Sequence, residues 1–226
     1  MRIRHETLGT IFELVYLVLM TNILLVIGCL PLVAGLVATD PARSWPLLAL
    51  VAPLCTPGLC AVFAVYSAYG ADRSIAVITT FVRAWRASLR RACALGAVTS
   101  AVFVVFGVDL RAAWGKPVGA VAIPILVVAC VLVAATALLA VVTLAERPTA
   151  RLRDVARASL YLALRHWYLT ALSFVLLAVL EALFASRPAL ALGVAAAPLL
   201  YGVWANSRFS LRTVLGPGNL RPTREK

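Results

Sequence analysis

VGAVAIPILVVACVLVAATALLAVVTLA, residues 118–145, contains no charged side chain. About 20 residues at 1.5 Å rise cross the hydrocarbon core of a bilayer, so this run reads as a membrane-crossing helix. Five other apolar runs share its character, over about 11–37, 45–69, 92–108, 168–185 and 189–207. Residues 208–226 form a basic tail, expected to be flexible at its end because Gly216-Pro217-Gly218 breaks any helix there. Hydrophobic residues make up 63% of the chain and charged residues 13%, against about a quarter charged in a soluble domain. The expected fold is all-α, a single polytopic domain with six transmembrane helices.

Orientation follows from where the cations lie. Only Arg43, Arg111, Lys116 and Arg187 fall on one side of the six runs, and the other 17 of the 21 Lys and Arg residues fall on the opposite side. Short loops rich in Lys and Arg stay in the cytoplasm. The chain is therefore expected in the plasma membrane with both termini inside. The first run exceeds the 7–15 apolar residues typical of a signal peptide, and no A-x-A site follows, so it reads as an uncleaved helix. The +12 net charge lies between spans rather than in a basic module. This placement favours anionic inner-leaflet lipid as the partner and argues against nucleic acid.

One segment between spans has a helical pattern of its own. Ile78, Phe81, Val82, Trp85 and Leu89 share one face, while Arg83, Arg86 and Arg90 share the other. It reads as an amphipathic helix at the cytoplasmic interface before the third span, with Arg83, Trp85, Arg86 and Arg90 touching lipid. The alternative is a helix that docks a cytoplasmic partner. The segment around Arg157, Tyr161, Leu164 and Arg165 looks like a weaker, less amphipathic copy.

Motifs that carry chemistry are missing. The sequence has no G-x-G-x-x-G, Walker, H-E-x-x-H or G-x-S-x-G pattern. Cys29, Cys55, Cys60, Cys93 and Cys130 sit singly in apolar runs and read as buried free thiols. No cofactor, metal or enzymatic activity is expected. The remaining candidates are polar or helix-breaking groups inside spans, where an ionisable side chain is costly. Glu13 reads as one half of an ion pair with an inner-face Arg, and Glu181 as a partner of Arg187 or of interfacial water. Asn22 must hydrogen-bond to another helix, as adhesion or in a substrate cavity. Pro31, Pro53, Pro57, Pro124 and Pro198 each remove a backbone donor. Thr56-Pro57-Gly58 concentrates a hydroxyl, a kink and a small residue, as a packing kink or a broken helix at a transport site.

Asn22-Ile23-Leu24-Leu25 followed by Pro31-Leu32-Val33, together with Phe81-x3-Trp85-x3-Leu89-Arg90-x-Ala92, resembles the YesL-like bacterial membrane proteins. The departures are Ala34 and Leu36 where the family carries Thr and Gly, and Ser88 where many relatives carry Asn. The resemblance implies a non-enzymatic accessory or regulatory protein of the inner membrane, linked to carbohydrate uptake, with an ABC transporter permease as partner. A small transporter in its own right, working as a homo-oligomer with Asn22, Thr56 and Glu13 in its cavity, is the alternative expectation.

The topology makes a direct prediction. With the native thiols removed, cysteine introduced at Ser44 or Ser186 should react with a membrane-impermeant thiol reagent in intact cells, and cysteine at Ser74 should not. Labelling of the Ser74 position from outside would overturn the six-span plan.

Overall fold

The computed structural model describes residues 2–72 and 75–215, with side chains at 12–40, 43–72 and 75–211. The side chains of Arg2 and Arg4 and all of residues 216–226 lie outside that set. Ten α-helices are described, joined by one 3-10 turn and one π turn: α1 (Arg2–Gly28), α2 (Leu30–Ala38), α3 (Pro41–Val51), α4 (Thr56–Ala71), α5 (Val77–Ala113), α6 (Gly119–Glu146), α7 (Leu152–Arg165), α8 (Trp167–Ser186), α9 (Pro188–Leu190) and α10 (Ala196–Leu215). No strand occurs among the described residues. Five helices are long and apolar enough to cross a membrane, and six if the bent pair α1–α2 counts as one span. The protein is an all-α, multi-pass membrane protein.

One span is sharply bent and two others change helical type without leaving the helical region, and prolines sit at each of these three breaks in the regular α-helix. The axis turns by 70° between Phe12–Gly28 and Leu30–Ala38. Pro31 occupies the first turn of α2, Pro53 the 3-10 turn Ala52–Cys55, and Pro57 the first turn of α4. Pro198 stands in the first turn of α10, just after the π turn Ala191–Ala195. The missing N–H is harmless at a first turn, because those donors have no intrahelical partner anyway. Pro31 therefore restarts a helix after the bend at Cys29, while Pro53, Pro57 and Pro198 stand where the backbone stays helical and changes its hydrogen-bond step. Pro124, in contrast, lies inside the continuous α6.

Glycines allow the breaks to pack together. A Cβ on Gly28 would stand 3.2 Å from the Gly58 Cα, and one on Gly58 would stand 3.3 Å from the Gly28 carbonyl carbon. The end of α1 thus crosses the start of α4 backbone to backbone, the use of small residues that membrane helices favour. On α5, a Cβ at Gly96 would lie 2.3 Å from the Thr56 Oγ1 and 2.9 Å from the Pro53 Cα. α4 is the most enclosed span, with Cys60, Ala61, Val62, Phe63, Val65 and Tyr66 all buried. It packs against α1, α5, α6 and α10, and α10 packs against α8.

The amphipathic segment before the third span is the opening of α5, a single helix of 37 residues. At 1.5 Å per residue α5 is about 55 Å long, beyond the 40–45 Å of a whole bilayer with headgroups. No Gly or Pro lies between Val77 and Leu95 to stop it, so the helix runs unbroken into the apolar run. Its buried stripe is Val77, Phe81, Ser88 and Ala92, while Ile78, Val82 and Leu89 stay exposed. Phe81 points at the α1–α4 crossing, 3.4 Å from where a Gly28 Cβ would be. The second segment forms a discrete helix, α7, between α6 and α8. Val155, Ser159, Leu162 and Ala163 line its buried face, and Arg151, Arg153, Arg157 and Arg165 are exposed. Its segregation is cleaner than the residues around Tyr161 alone suggest, because Val155 and Ser159 extend the stripe by a turn. Arg91 ties the two segments together by donating from Nη1 to the Pro148 carbonyl.

Gly96→Ala should lower the midpoint of thermal unfolding in detergent, because the new methyl meets both Thr56 and Pro53. Adding Thr56→Ala should restore part of the loss and not all of it, since the Pro53 backbone remains. Full recovery would show that only the hydroxyl blocks the position.

Candidate functional site

Asn22 is 1% exposed on α1, facing the π turn of the last span. Its Nδ2 donates to the Gly193 carbonyl at 2.8 Å, and its Oδ1 accepts from the Ala197 N–H at 2.7 Å. Gly193 and Ala197 are four residues apart, the pair that would bond to each other in an unbroken α-helix. The amide is spliced into that ladder and satisfies both ends. The Tyr66 hydroxyl donates to the Ala197 carbonyl at 2.9 Å. Two helices therefore supply the hydrogen bonds at the turn. Asn22 belongs to helix–helix adhesion here, and Asn22→Leu should destabilise the fold by about 1–2 kcal/mol. A thermal or denaturant titration in detergent that finds no loss would remove that role.

A second polar cluster closes the opposite, basic end of the bundle. The Arg208 Nε lies 3.2 Å from the Glu146 Oε1, joining α10 to the end of α6. The Arg208 guanidinium also stacks 5.0 Å over the Trp204 ring. A carboxylate at a helix C-terminus faces the negative end of the macrodipole, and the cation beside it offsets that cost. Asn206 donates from Nδ2 to the Leu169 carbonyl and to the Ser173 Oγ at 2.6 Å, fastening α10 to α8.

Away from these clusters the spans separate around a cavity of about 930 Å3. It reaches from Phe63, Val141 and Leu200 in the middle of the bundle to Trp45 and Arg111 at the rim. Residues of all three breaks line it, among them Cys29, Thr56 and Leu192. Most of the wall is Leu, Val, Phe and Ala. The Ser100 hydroxyl donates to the Ala49 carbonyl at 2.5 Å, and the Thr99 hydroxyl to the Leu95 carbonyl at 2.9 Å. Among the described residues of the wall, the Thr56 hydroxyl, the Trp45 indole N–H and the Arg111 guanidinium are free to meet a guest. Water needs two to four polar partners to settle in such a space, and this wall offers few. Apolar groups from outside the chain would supply the dispersion contacts that these wall atoms do not make with one another.

The sequence candidates separate accordingly. Thr56 reaches the cavity, and Gly58 packs on Gly28 instead. Pro57 is buried in the first turn of α4, and Pro31 is exposed on α2. Glu13 and Glu181 are both exposed, and neither has an ion-pair partner among the described residues. The expected pairs of Glu13 with an inner-face Arg and of Glu181 with Arg187 are therefore not found there. Arg83, Arg86 and Arg90 are exposed, but Trp85 is half-buried against the core with its indole nitrogen enclosed. Among the described residues no group of three or more His, Cys, Asp or Glu side chains is placed to hold a metal ion. Tyr66, Asn206 and Arg111 are the residues that sequence reasoning passed over. Tyr66 had a signal, since a Tyr in mid-span must find a partner for its hydroxyl.

No protein-family model matches the chain, and no curated protein or solved structure is similar to it.

Proposed function

We propose that this protein is a non-enzymatic accessory or regulatory protein of the bacterial plasma membrane, oriented with both termini in the cytoplasm. The observation that carries the reading is the use made of the intramembrane polar groups. Asn22 and Tyr66 are spent on the backbone of the last span, and Asn206 on α8. They hold helices together, and among the described residues of the cavity wall only Thr56, Trp45 and Arg111 offer side-chain hydrogen-bonding groups that are not already bonded to backbone. A sugar would need a row of such groups, because each buried hydroxyl left unpaired costs about 1–3 kcal/mol.

At the basic end, α7 and the first turns of α5 present Arg83, Arg86, Arg90, Arg151, Arg153, Arg157 and Arg165 outward. In the cytoplasmic orientation these guanidinium groups meet anionic headgroups or an acidic patch on a partner. The link to carbohydrate uptake, with an ABC transporter permease as that partner, rests on the resemblance to the YesL-like proteins. The second reading, a small transporter acting as a homo-oligomer, is favoured by the cavity between broken spans. Its apolar wall suits an apolar or amphiphilic cargo rather than a sugar.

Purification in mild detergent followed by mass spectrometry separates the two. A permease recovered in stoichiometric amount supports the accessory role, and its loss on replacing Arg83, Arg86 and Arg90 with Gln assigns the contact to α5. Recovery of a homo-oligomer with no other subunit would reject the accessory role and leave the transporter.

A further inference from the structure

The cavity has a direction. Its deep end is closed by the buried Phe63, Val141 and Leu200, and its rim carries the exposed Arg111 and Trp45. Along α5, the wall runs from Leu95 to Arg111, a rise of about 24 Å. That is longer than one leaflet of hydrocarbon, about half of 30 Å, and it is apolar for its whole length apart from hydroxyls already bonded to backbone. The wall is also open at one point near the rim. A Cβ on Gly107 would meet nothing within 4 Å, although Gly107 lines the cavity. Arg111 is exposed and has no ion-pair partner among the described residues.

An unpaired cation at the mouth of a long apolar slot describes its guest. We propose that the cavity binds a long-chain fatty acid, with the hydrocarbon chain between the broken spans and the carboxylate on the Arg111 guanidinium. One guanidinium satisfies both oxygens of one carboxylate in a bidentate pair. A phospholipid would bring two ester carbonyls and a glycerol backbone as well, and among the described residues this rim adds only the Trp45 indole N–H to the Arg111 guanidinium. Trp45 supplies an amphipathic ring at the depth where chain meets headgroup. Thr56, deeper in, sits beside Gly96 at the crossing of the breaks, so a chain that reaches it also touches the joint between α3 and α4. This site is separate from the Arg-rich basic end and does not depend on a permease partner.

The test uses the full-length protein in nanodiscs of phosphatidylcholine, with tritiated palmitate as the probe and its methyl ester as the uncharged control. Saturable palmitate binding should weaken at least tenfold in Arg111→Gln, and recover in part in Arg111→Lys. The methyl ester should bind at least tenfold more weakly than palmitate. Gly107→Phe should abolish binding, because its ring enters the mouth at a place where the backbone has room for a side chain. Arg111 and Gly107 are both exposed, so neither change should lower the thermal midpoint, which is read alongside. Equal binding of acid and ester, unchanged affinity in Arg111→Gln, or unchanged binding in Gly107→Phe would each overturn the proposal. So would native mass spectrometry showing a two-chain phospholipid in the protein that palmitate fails to displace.

Discussion

In hydrocarbon a backbone N–H or C=O without a partner costs several kcal/mol, so a helix that breaks inside a bilayer must borrow bonds from its neighbours. This chain bends one span, changes the helical step in two more, and borrows at the last of them from α1 and α4. The Asn22 amide stands between the Gly193 carbonyl and the Ala197 N–H, and the Tyr66 hydroxyl meets the next carbonyl. Those contacts set how α1, α4 and α10 approach, and the core of Leu17, Leu24, Val62, Val65 and Val203 packs within that frame.

The breaks also divide the bundle into two halves of different character. Toward the basic end, α4, α6 and α10 close tightly, with Arg208 bridging Glu146 and covering Trp204. Toward the other end, α2 turns from the α1 axis by 70°, a 3-10 turn joins α3 to α4, and the spans part around the cavity. Straight helices packed ridge into groove would leave no such space.

Much of the fold was legible in composition and periodicity. The run 118–145 marked α6 almost residue for residue, and the gap between the runs 168–185 and 189–207 marked the turn at Arg187 between α8 and the last span. Asn22 stood out as a polar group that needed a partner, though its partner is 171 residues away and no local pattern names it. The amphipathic segment and the third span form one helix for a plain reason: a change from amphipathic to apolar composition does not end a helix when no Gly or Pro intervenes. Glu13 and Glu181 attracted attention because charges are rare in spans, but both are exposed and can stay hydrated.

Chain chemistry by itself determined that this is a helical, multi-pass membrane protein, because the length of an apolar run and the need to satisfy every backbone bond leave few other solutions. Only tertiary structure decided which polar groups hold helices together and which face a cavity. Asn22 and Thr56 look equivalent in sequence, a polar residue in an apolar run. One is enclosed against the backbone of the last span, and the other lines the space between broken helices. That assignment depends on the bend at Cys29, the 3-10 turn at Ala52–Cys55 and the π turn at Ala191–Ala195 acting together. Their combined geometry brings distant residues together, and no single stretch of chain contains it.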